Sequence, residues 1–280
     1  MRRTLTALVG AAALALTVGA AQGKDWKQVK IGTEGAYPPW NSTNADGQLV
    51  GAEIDLAMEL CKRMGVTCEV VAQDWDGIIP ALKNGKYDAI MAGMSITEER
   101  MTQINFSRGY FNDPARLAVL KDSELAGLET VENLTLDDID AAEQETLDKL
   151  KTALSGKTVG VQIATIHQNF VEKYLGDAVD LRTYQTQDEL NLDLQVGRID
   201  VALADNGAFA DFMEKAEGEN IVLTGPKMSG DVFGAGVGVG IRKEDEDLLA
   251  LFNKAIEEAT ADGTVGRISK DWFGFDLSMQ

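Results

Sequence analysis

The sequence predicts an α/β protein with two lobes, each built on a mostly parallel sheet flanked by helices. Short apolar segments with strand-like composition alternate with segments of helical periodicity, as in parallel sheets with crossover helices. This alternation occurs on both sides of a charged stretch at 122–154. Removal of a predicted export signal leaves roughly 257–260 residues, which is enough for two domains.

The first 23 residues have the order of a secretory signal. Arg2 and Arg3 precede an almost entirely apolar run at 5–18, and small residues follow, so cleavage is expected between Ala20 and Gly23. The apolar run is too short and too rich in alanine and glycine for a membrane span. We therefore expect a soluble protein that is exported to the periplasm.

Charge and cysteine content exclude several classes of protein. A formal net charge of −19 argues against a protein that follows nucleic-acid phosphates. Cys61 and Cys68 are the only cysteines, and their spacing differs from a Cys-x-x-Cys redox motif. In an oxidising compartment such an isolated pair predicts a structural disulfide. No motif indicates a metal ion or a cofactor.

Local patterns predict the first elements. Residues 29–33 alternate like a strand, and Pro38 and Pro39 then interrupt the chain as a loop. Apolar residues recur at helical spacing over 53–64, and Gly65 ends this helix. The other elements predicted in this part are a strand at 66–72, a helix at 75–84 and a strand at 89–92.

The stretch from Asp88 to Arg100 combines three features that bind anions. Gly93 frees the backbone after the strand, and Ser95 or Thr97 then caps a new helix with Arg100 in its first turn. Backbone N–H groups, a hydroxyl and a guanidinium are thus able to converge on one small carboxylate. The alternative is that Ser95 only caps the helix and Arg100 pairs with a surface acid.

The second half repeats the alternation. An extended connector at 116–120 comes before the stretch 122–154, which lacks strand patterning and predicts a largely helical, solvated insertion. Beyond it, strands are predicted at 158–162, 179–184, 199–204 and 221–223, and helices at 165–175, 187–196 and 208–217.

Glycine occupies alternate positions from Gly234 to Gly240. The run lacks G-x-G-x-x-G spacing and no helix directly follows it, so phosphate binding is not expected. The period of two instead predicts a strand with one face close to another backbone. Helices at 241–262 and 264–273 complete the chain.

A family resemblance extends over nearly the whole mature chain. The residues that carry it include Ile31-Gly-Thr-Glu34, Leu49-Val-Gly-Ala-Glu-Ile-Asp-Leu56, Ser95-Ile-Thr-Glu-Glu-Arg100, Gly197-Arg-Ile-Asp200 and the Cys61/Cys68 pair. On these segments the chain resembles the extracytoplasmic solute-binding proteins of bacterial ABC importers. The lysine/arginine/ornithine-, histidine- and octopine/nopaline-binding branch looks most similar, and the stretches 75–80 and 134–154 resemble its opine members.

The resemblance implies the periplasmic binding protein fold, with two crossover strands between the lobes and a ligand trapped between them. It implies that residues 24–114 and 228–280 form the first lobe and residues 115–227 the second. Arg100, Ser95 and the backbone N–H near Ile166 would bind the α-carboxylate of an amino acid. Asp205 and the Gly93 carbonyl would bind its α-ammonium.

The resemblance also implies a site for the ligand side chain. Tyr37 and Trp75 would enclose that side chain, with Glu34 at its distal end; packing at the lobe edge and an exposed loop acid are the alternatives. Glu53 is either a second acid at this end or a charge that stabilises a helix N-terminus. His167, the only histidine, is either structural or bonded to the far end or an extra carboxylate of the ligand. Gln162 and Asn206 are weaker candidates of the same kind.

The resulting hypothesis is a monomeric binding protein that delivers a cationic amino acid to an inner-membrane ABC permease. An opine of the octopine or nopaline type is the alternative ligand. An exported dehydratase on the same scaffold is the alternative class, for which Glu34 and His167 are the acid–base candidates, although they form no recognisable dyad. Presentation of the ligand to a receptor would use the same site.

Overall fold

The computed structural model describes residues 24–280, so the predicted export signal at 1–23 lies outside the described residues. Within 24–280, every helix is too short or too polar to cross a membrane. The described strands are β1 (Gln28–Thr33), β2 (Ala36–Tyr37), β3 (Asn41–Thr43), β4 (Leu49–Val50), β5 (Thr67–Ala72), β6 (Ala89–Ile90), β7 (Asn105–Phe106), β8 (Ala115–Leu120), β9 (Asn133–Thr135), β10 (Thr158–Gln162), β11 (Asp180–Tyr184), β12 (Val201–Asp205), β13 (Ile221–Ser229) and β14 (Gly240–Ile241). The described helices are α1 (Ala52–Met64), α2 (Ile78–Lys83), α3 (Glu98–Gln103), α4 (Ala141–Ala153), α5 (Ile166–Phe170), α6 (Gln187–Gln195), α7 (Asn206–Met213), α8 (Glu246–Ala261) and α9 (Thr264–Phe273).

The first sheet has the strand order β5-β1-β6-β14-β7. β1 is parallel to both β5 and β6, whereas β14 is antiparallel to β6 and β7. Helices α1, α8 and α9 pack together against this sheet because their apolar faces share one core cluster, which includes Leu56, Leu60, Phe252 and Ile256. A small antiparallel sheet, β2-β3-β4, adjoins α1.

The second sheet has the strand order β11-β10-β12-β8-β13-β9. Strand β10 is parallel to β11 and β12, and these strands carry the βαβ units that the alternating pattern predicts. The predicted α/β fold is therefore confirmed. It has two sheets flanked by helices, with parallel pairing around β1 and β10 and antiparallel strands beside them. The chain enters the second sheet at β8 and returns to the first sheet after β13, so it passes between the two sheets twice.

The lobe boundaries predicted at 114/115 and 227/228 fall at the start of β8 and inside β13. They stay a prediction. The last residues of the chain lie beside the crossover segment, because the Asn112 N–H donates to Leu277 O at 2.9 Å and the Met279 N–H donates to Tyr110 O at 3.0 Å.

The prediction that the stretch 122–154 is a solvated insertion without a strand is wrong in part. Strand β9 pairs in parallel with β13, and α4 occupies only the second half of the stretch. Leu134, Leu147, Leu150 and Leu154 are buried in the core of the second sheet. Apolar residues at this spacing pack one face of α4 on the sheet, while the rest of the helix stays solvated.

The glycine-rich run approaches another backbone as predicted, but only Gly240 belongs to a strand of the described sheets. Ile96 N–H donates to Gly236 O at 2.8 Å, and Ala235 N–H donates to Ile96 O at 2.9 Å. A Cβ atom at Gly234 would lie 2.2 Å from the Ile96 carbonyl oxygen, so any side chain there would force the two segments apart.

The predicted disulfide joins Cys61 in α1 to Cys68 in β5. It ties the end of the helix to the strand that follows in sequence. Because the bond closes a very short loop, its stabilising effect on the folded state is limited by the modest entropy that such a loop removes from the unfolded chain.

Replacement of both cysteines by alanine should lower the free energy of unfolding by about 2.5 kcal/mol, the value expected from loop-closure entropy. Urea denaturation of the two proteins measures this difference. As a control, a reductant should destabilise the wild type by a similar amount and leave the double variant unchanged. Equal stability of the oxidised wild type and the double variant would contradict the structural role.

Candidate functional site

A cavity lies between the two sheets, at the carboxyl ends of β1, β6, β10 and β12. Ligands of open α/β sheets bind at such strand ends. All nine sequence-predicted ligand residues line this one cavity, although their contact with a ligand stays a prediction. The lining residues are Glu34, Tyr37, Trp75, Ala92, Gly93, Ser95, Arg100, Gln162, Thr165, Ile166, His167 and Asp205.

Arg100 reaches the cavity from the first turn of α3. Thr97, not Ser95, caps this helix, and its Oγ1 accepts the Arg100 N–H at 3.2 Å. The Arg100 side chain turns inward, where Nη1 donates to Ser95 O at 3.0 Å and the guanidinium lies 5.2 Å from the Trp75 ring centre. The residue is only 9% exposed. The sequence alternative of a surface ion pair for Arg100 is therefore wrong.

The charge of Arg100 is left without a close counterion. Among residues 24–280, no carboxylate lies within ion-pair distance of its guanidinium. Burial lowers the pKa of Arg100 to about 10, while the negative charges of Glu99 and Asp205 act in the opposite direction. Arg100 is thus still cationic at neutral pH, and it lines the cavity.

Asp205 faces Arg100 from the other sheet, at the end of β12 and just before α7. A residue at this position usually caps the following helix, but the Asp205 carboxylate makes no capping hydrogen bond. The first N–H groups of α7 already have acceptors: Asn206 N–H donates to Pro114 O at 2.9 Å, and Gly207 N–H donates to Asp113 Oδ2 at 2.7 Å. The Asp205 carboxylate is consequently free to point into the cavity.

The partners of Asp205 come from both sheets. Tyr37 Oη donates to Asp205 Oδ2 at 2.7 Å, which links the lobes directly. Burial and the charge of Asp205 raise the pKa of Tyr37 well above its ordinary value, so Tyr37 remains a neutral donor. His167 Nε2 lies 3.3 Å from Asp205 Oδ1 without hydrogen-bond geometry, and this buried nitrogen has no hydrogen-bond partner among the described residues.

Glu34 lies in the loop after β1 and is only 8% exposed, so the alternative of an exposed loop acid is wrong. Gln162 Nε2, at the end of β10, donates to Glu34 Oε1 at 2.6 Å and makes a second contact between the lobes. Burial raises the pKa of Glu34 to about 7, although the hydrogen bond from Gln162 acts in the opposite direction. The charge on this end of the cavity therefore changes near neutral pH.

The two predicted aromatic walls differ in their surroundings. Tyr37 is buried beside Trp40, with 6.5 Å between the ring centres, whereas Trp75 Nε1 donates to Ala164 O of the opposite lobe at 3.1 Å. Both rings line the cavity, so neither is confined to packing at a lobe edge. Enclosure of a ligand side chain between them stays a prediction.

Two residues refine the sequence-based assignment. Of the two alternatives for Glu53, a second acid at the cavity is wrong, because Glu53 does not line the cavity and is completely buried in the first turn of α1. Thr165, which the sequence placed only at a helix start, lines the cavity, with its Oγ1 donating to Gln162 O at 2.7 Å and accepting the Gln168 N–H at 3.3 Å. Its position directly between a buried strand and a helix is the signal that would have identified it.

Among residues 24–280, no group of three or more His, Cys, Asp or Glu side chains is arranged to hold a metal ion. The cavity instead combines one guanidinium and two carboxyl groups with neutral hydrogen-bond donors. Such a set suits a small organic molecule that carries both signs of charge.

Comparison with known proteins agrees with this chemistry. Residues 29–275 match the family described as bacterial extracellular solute-binding proteins, family 3. The octopine-binding periplasmic protein of Rhizobium meliloti is 39% identical over 286 residues, covering 95% of this chain and 97% of that protein. The histidine-binding periplasmic protein of Escherichia coli K12 is 37% identical over 254 residues, covering 90% of this chain and 89% of that protein.

A solved structure is similar over the same extent. The periplasmic His/Glu/Gln/Arg/opine family-binding protein from Silicibacter pomeroyi, in complex with lysine, superposes with a TM-score of 0.70 at 33% identity. The match covers 90% of this chain and 100% of that one.

Proposed function

Because the chain belongs to the bacterial extracellular solute-binding proteins, family 3, we propose that it binds a cationic L-amino acid. Arginine, lysine, ornithine and histidine are the candidates. The protein works in the periplasm as a monomer, after cleavage of its signal, and delivers the ligand to an inner-membrane ABC permease.

The balance of charge in the cavity supports this proposal most strongly. The wall contains one full cation, Arg100, and two carboxyl groups, Glu34 and Asp205. Among the described residues, no Asp or Glu lies within ion-pair distance of Arg100, and no Lys or Arg lies within ion-pair distance of Glu34 or Asp205. A cationic amino acid carries the complementary set of one carboxylate and two cations. Burial of these groups is costly when they are unpaired, so a ligand that pairs all three is favoured.

The proposed pose follows from where the charges lie. The α-carboxylate binds Arg100 and Ser95 together with the backbone N–H near Ile166. The α-ammonium binds Asp205 and the Gly93 carbonyl. The ligand side chain extends between Tyr37 and Trp75, and its cationic end reaches Glu34, where attraction to the aromatic faces adds to the ionic interaction.

Binding is coupled to closure because the pairing groups belong to different lobes. Arg100 and Glu34 follow strands β6 and β1 of the first sheet, whereas Asp205 ends β12 of the second. A ligand that bridges them binds the closed arrangement more tightly than the open one. This difference in affinity is what shifts the equilibrium between the two arrangements.

An opine is the second candidate, and His167 is the observation that favours it. The imidazole is 5% exposed, lines the cavity and has a buried Nε2 without a hydrogen-bond partner among the described residues. An opine such as octopine carries an extra carboxylate on its α-nitrogen, close to where Asp205 would bind. His167 is the group that would donate a hydrogen bond to this carboxylate.

The proposal does not include catalysis. Glu34 and His167 are the acid–base candidates, and each contacts a different partner: Glu34 accepts a hydrogen bond from Gln162, and His167 lies against Asp205. An exported dehydratase would need an acid–base group placed beside the reacting bond.

Arg100→Ala should abolish measurable binding of arginine, lysine, ornithine and histidine, because the ligand carboxylate would be buried without a cation. Isothermal titration calorimetry measures the affinity. Arg267→Ala, which removes only an exposed pair with Asp271, is the matched control and should bind like the wild type. Near-native affinity of Arg100→Ala would refute the proposed pose.

Glu34→Gln should weaken arginine binding about 10- to 100-fold, since a hydrogen bond between charged groups would be lost. Citrulline, which replaces the guanidinium by a neutral urea group, should be affected far less. Because Glu34 must be ionised to attract the ligand, wild-type affinity for arginine should fall as the pH drops below about 7. The variant should show a flatter pH profile; equal losses for arginine and citrulline would contradict the role of Glu34.

Arginine should bind more tightly than octopine, which differs from it by a carboxyethyl group on the α-nitrogen. The reason is that Tyr37 already bonds to Asp205 Oδ2 where this group would lie. Competition between the two ligands in a thermal-shift assay decides the question. If octopine binds more tightly, the opine is the ligand, and His167→Ala should then weaken octopine much more than arginine.

A further inference from the structure

We infer that Glu53, a buried carboxylate outside the cavity, is a positioning residue that fixes the two cavity loops of the first lobe. The inference deepens the proposed function and rests on it for its binding readout. The Glu53 carboxylate holds Gly93 on one side and, through Asn41, the loop of Glu34 on the other.

The contact with Gly93 is the shortest link to the cavity. The Gly93 N–H points at both carboxylate oxygens, 2.8 Å from Oε1 and 2.7 Å from Oε2. Gly93 has a φ of +60°, a conformation that a hydrogen bond from its N–H helps to hold. Ala92, Gly93 and Ser95 all line the cavity, so the orientation of this wall depends on where Glu53 holds the Gly93 amide.

A second link runs through Asn41. Asn41 Nδ2 donates to Glu53 Oε2 at 3.0 Å, and Asn41 Oδ1 accepts the Gly35 N–H at 2.7 Å. Gly35 directly follows Glu34, so the orientation of the Asn41 amide is transmitted to the loop that carries Glu34. Glu53 and Asn41 are both 0% exposed, and water therefore cannot replace either hydrogen bond easily.

Tyr110 completes the set of donors by bonding through its hydroxyl to Glu53 Oε1. Every polar partner of the carboxylate is then a donor, and no Lys or Arg of residues 24–280 lies within ion-pair distance of it. Burial raises the pKa of Glu53 to about 7, and the three kinds of hydrogen bond act against this shift. An acceptor-only group is what this cluster of donors requires.

A purely structural role is the competing explanation, because loss of a buried carboxylate also destabilises a fold. The two roles differ in what changes. A structural residue alters the stability of the lobe, whereas a positioning residue also alters the cavity loops in protein that is still folded.

The test compares Glu53→Gln with Asp245→Asn. Glutamine has the same shape, but its amide nitrogen is a donor that must face one of the donors of the cluster, so the loops shift. Asp245 is a buried carboxylate of the same lobe that bonds to Arg242 and lies outside the cavity, which makes it the matched control. The variants are measured at 25 °C after circular dichroism has shown that they are folded.

Glu53→Gln should raise the dissociation constant for arginine at least tenfold, and Asp245→Asn should change it less than twofold even if its melting temperature falls more. Amide hydrogen exchange at Gly93 and Gly35 should accelerate in Glu53→Gln alone. Binding and exchange like those of the wild type in Glu53→Gln, or equal effects in both variants, would overturn the inference. If the wild type binds none of the candidate ligands, the proposed function fails, and the exchange rates alone decide the role of Glu53.

Discussion

The structure depends on charges that are buried without close counterions at the junction of the two lobes. Arg100 and Asp205 lie on opposite sides of the cavity, and the local backbone keeps both available. Thr97 caps α3 in place of Ser95, and Asp113 and Pro114 satisfy the start of α7 in place of Asp205. Other residues thus satisfy the backbone at both helix ends, and the side chains of Arg100 and Asp205 line the cavity instead.

The strands beside the site are short and irregular. Strand β6 ends at Ile90, two residues earlier than the apolar run predicts, because the backbone then turns toward Glu53 through the Gly93 N–H. The glycine-rich run pairs with Ile96 outside the described ladders. Both departures from regular pairing lie next to residues that line the cavity, Gly93 and Ser95.

Much of the architecture follows from the sequence because apolar periodicity decides which residues are buried. The bounds predicted for β1, α1, β10 and α9 are close to those observed, since each has a clear period and a glycine or turn at its end. Strand β9 has only three residues, so its pairing with β13 depends on tertiary contacts that no local pattern records. Glu53 is similar: its position in a helix was predictable, but its partners come from three distant segments. Arg100 and Asp205 as ligand contacts came from the family resemblance; both line the cavity, and their contact with a ligand stays a prediction.

The hydrogen bond from Tyr37 to Asp205 affects both the affinity and the selectivity of the proposed ligand site. In the proposed pose, the ligand ammonium group would compete for Asp205 with the Tyr37 hydroxyl, which already donates to Oδ2, and not with solvent alone. The affinity for the ligand would then reflect the difference between the ammonium–Asp205 interaction and the Tyr37–Asp205 hydrogen bond. A ligand without a full positive charge at this point would interact with Asp205 no more strongly than Tyr37 does, so Tyr37 would select for ligands with an ammonium group.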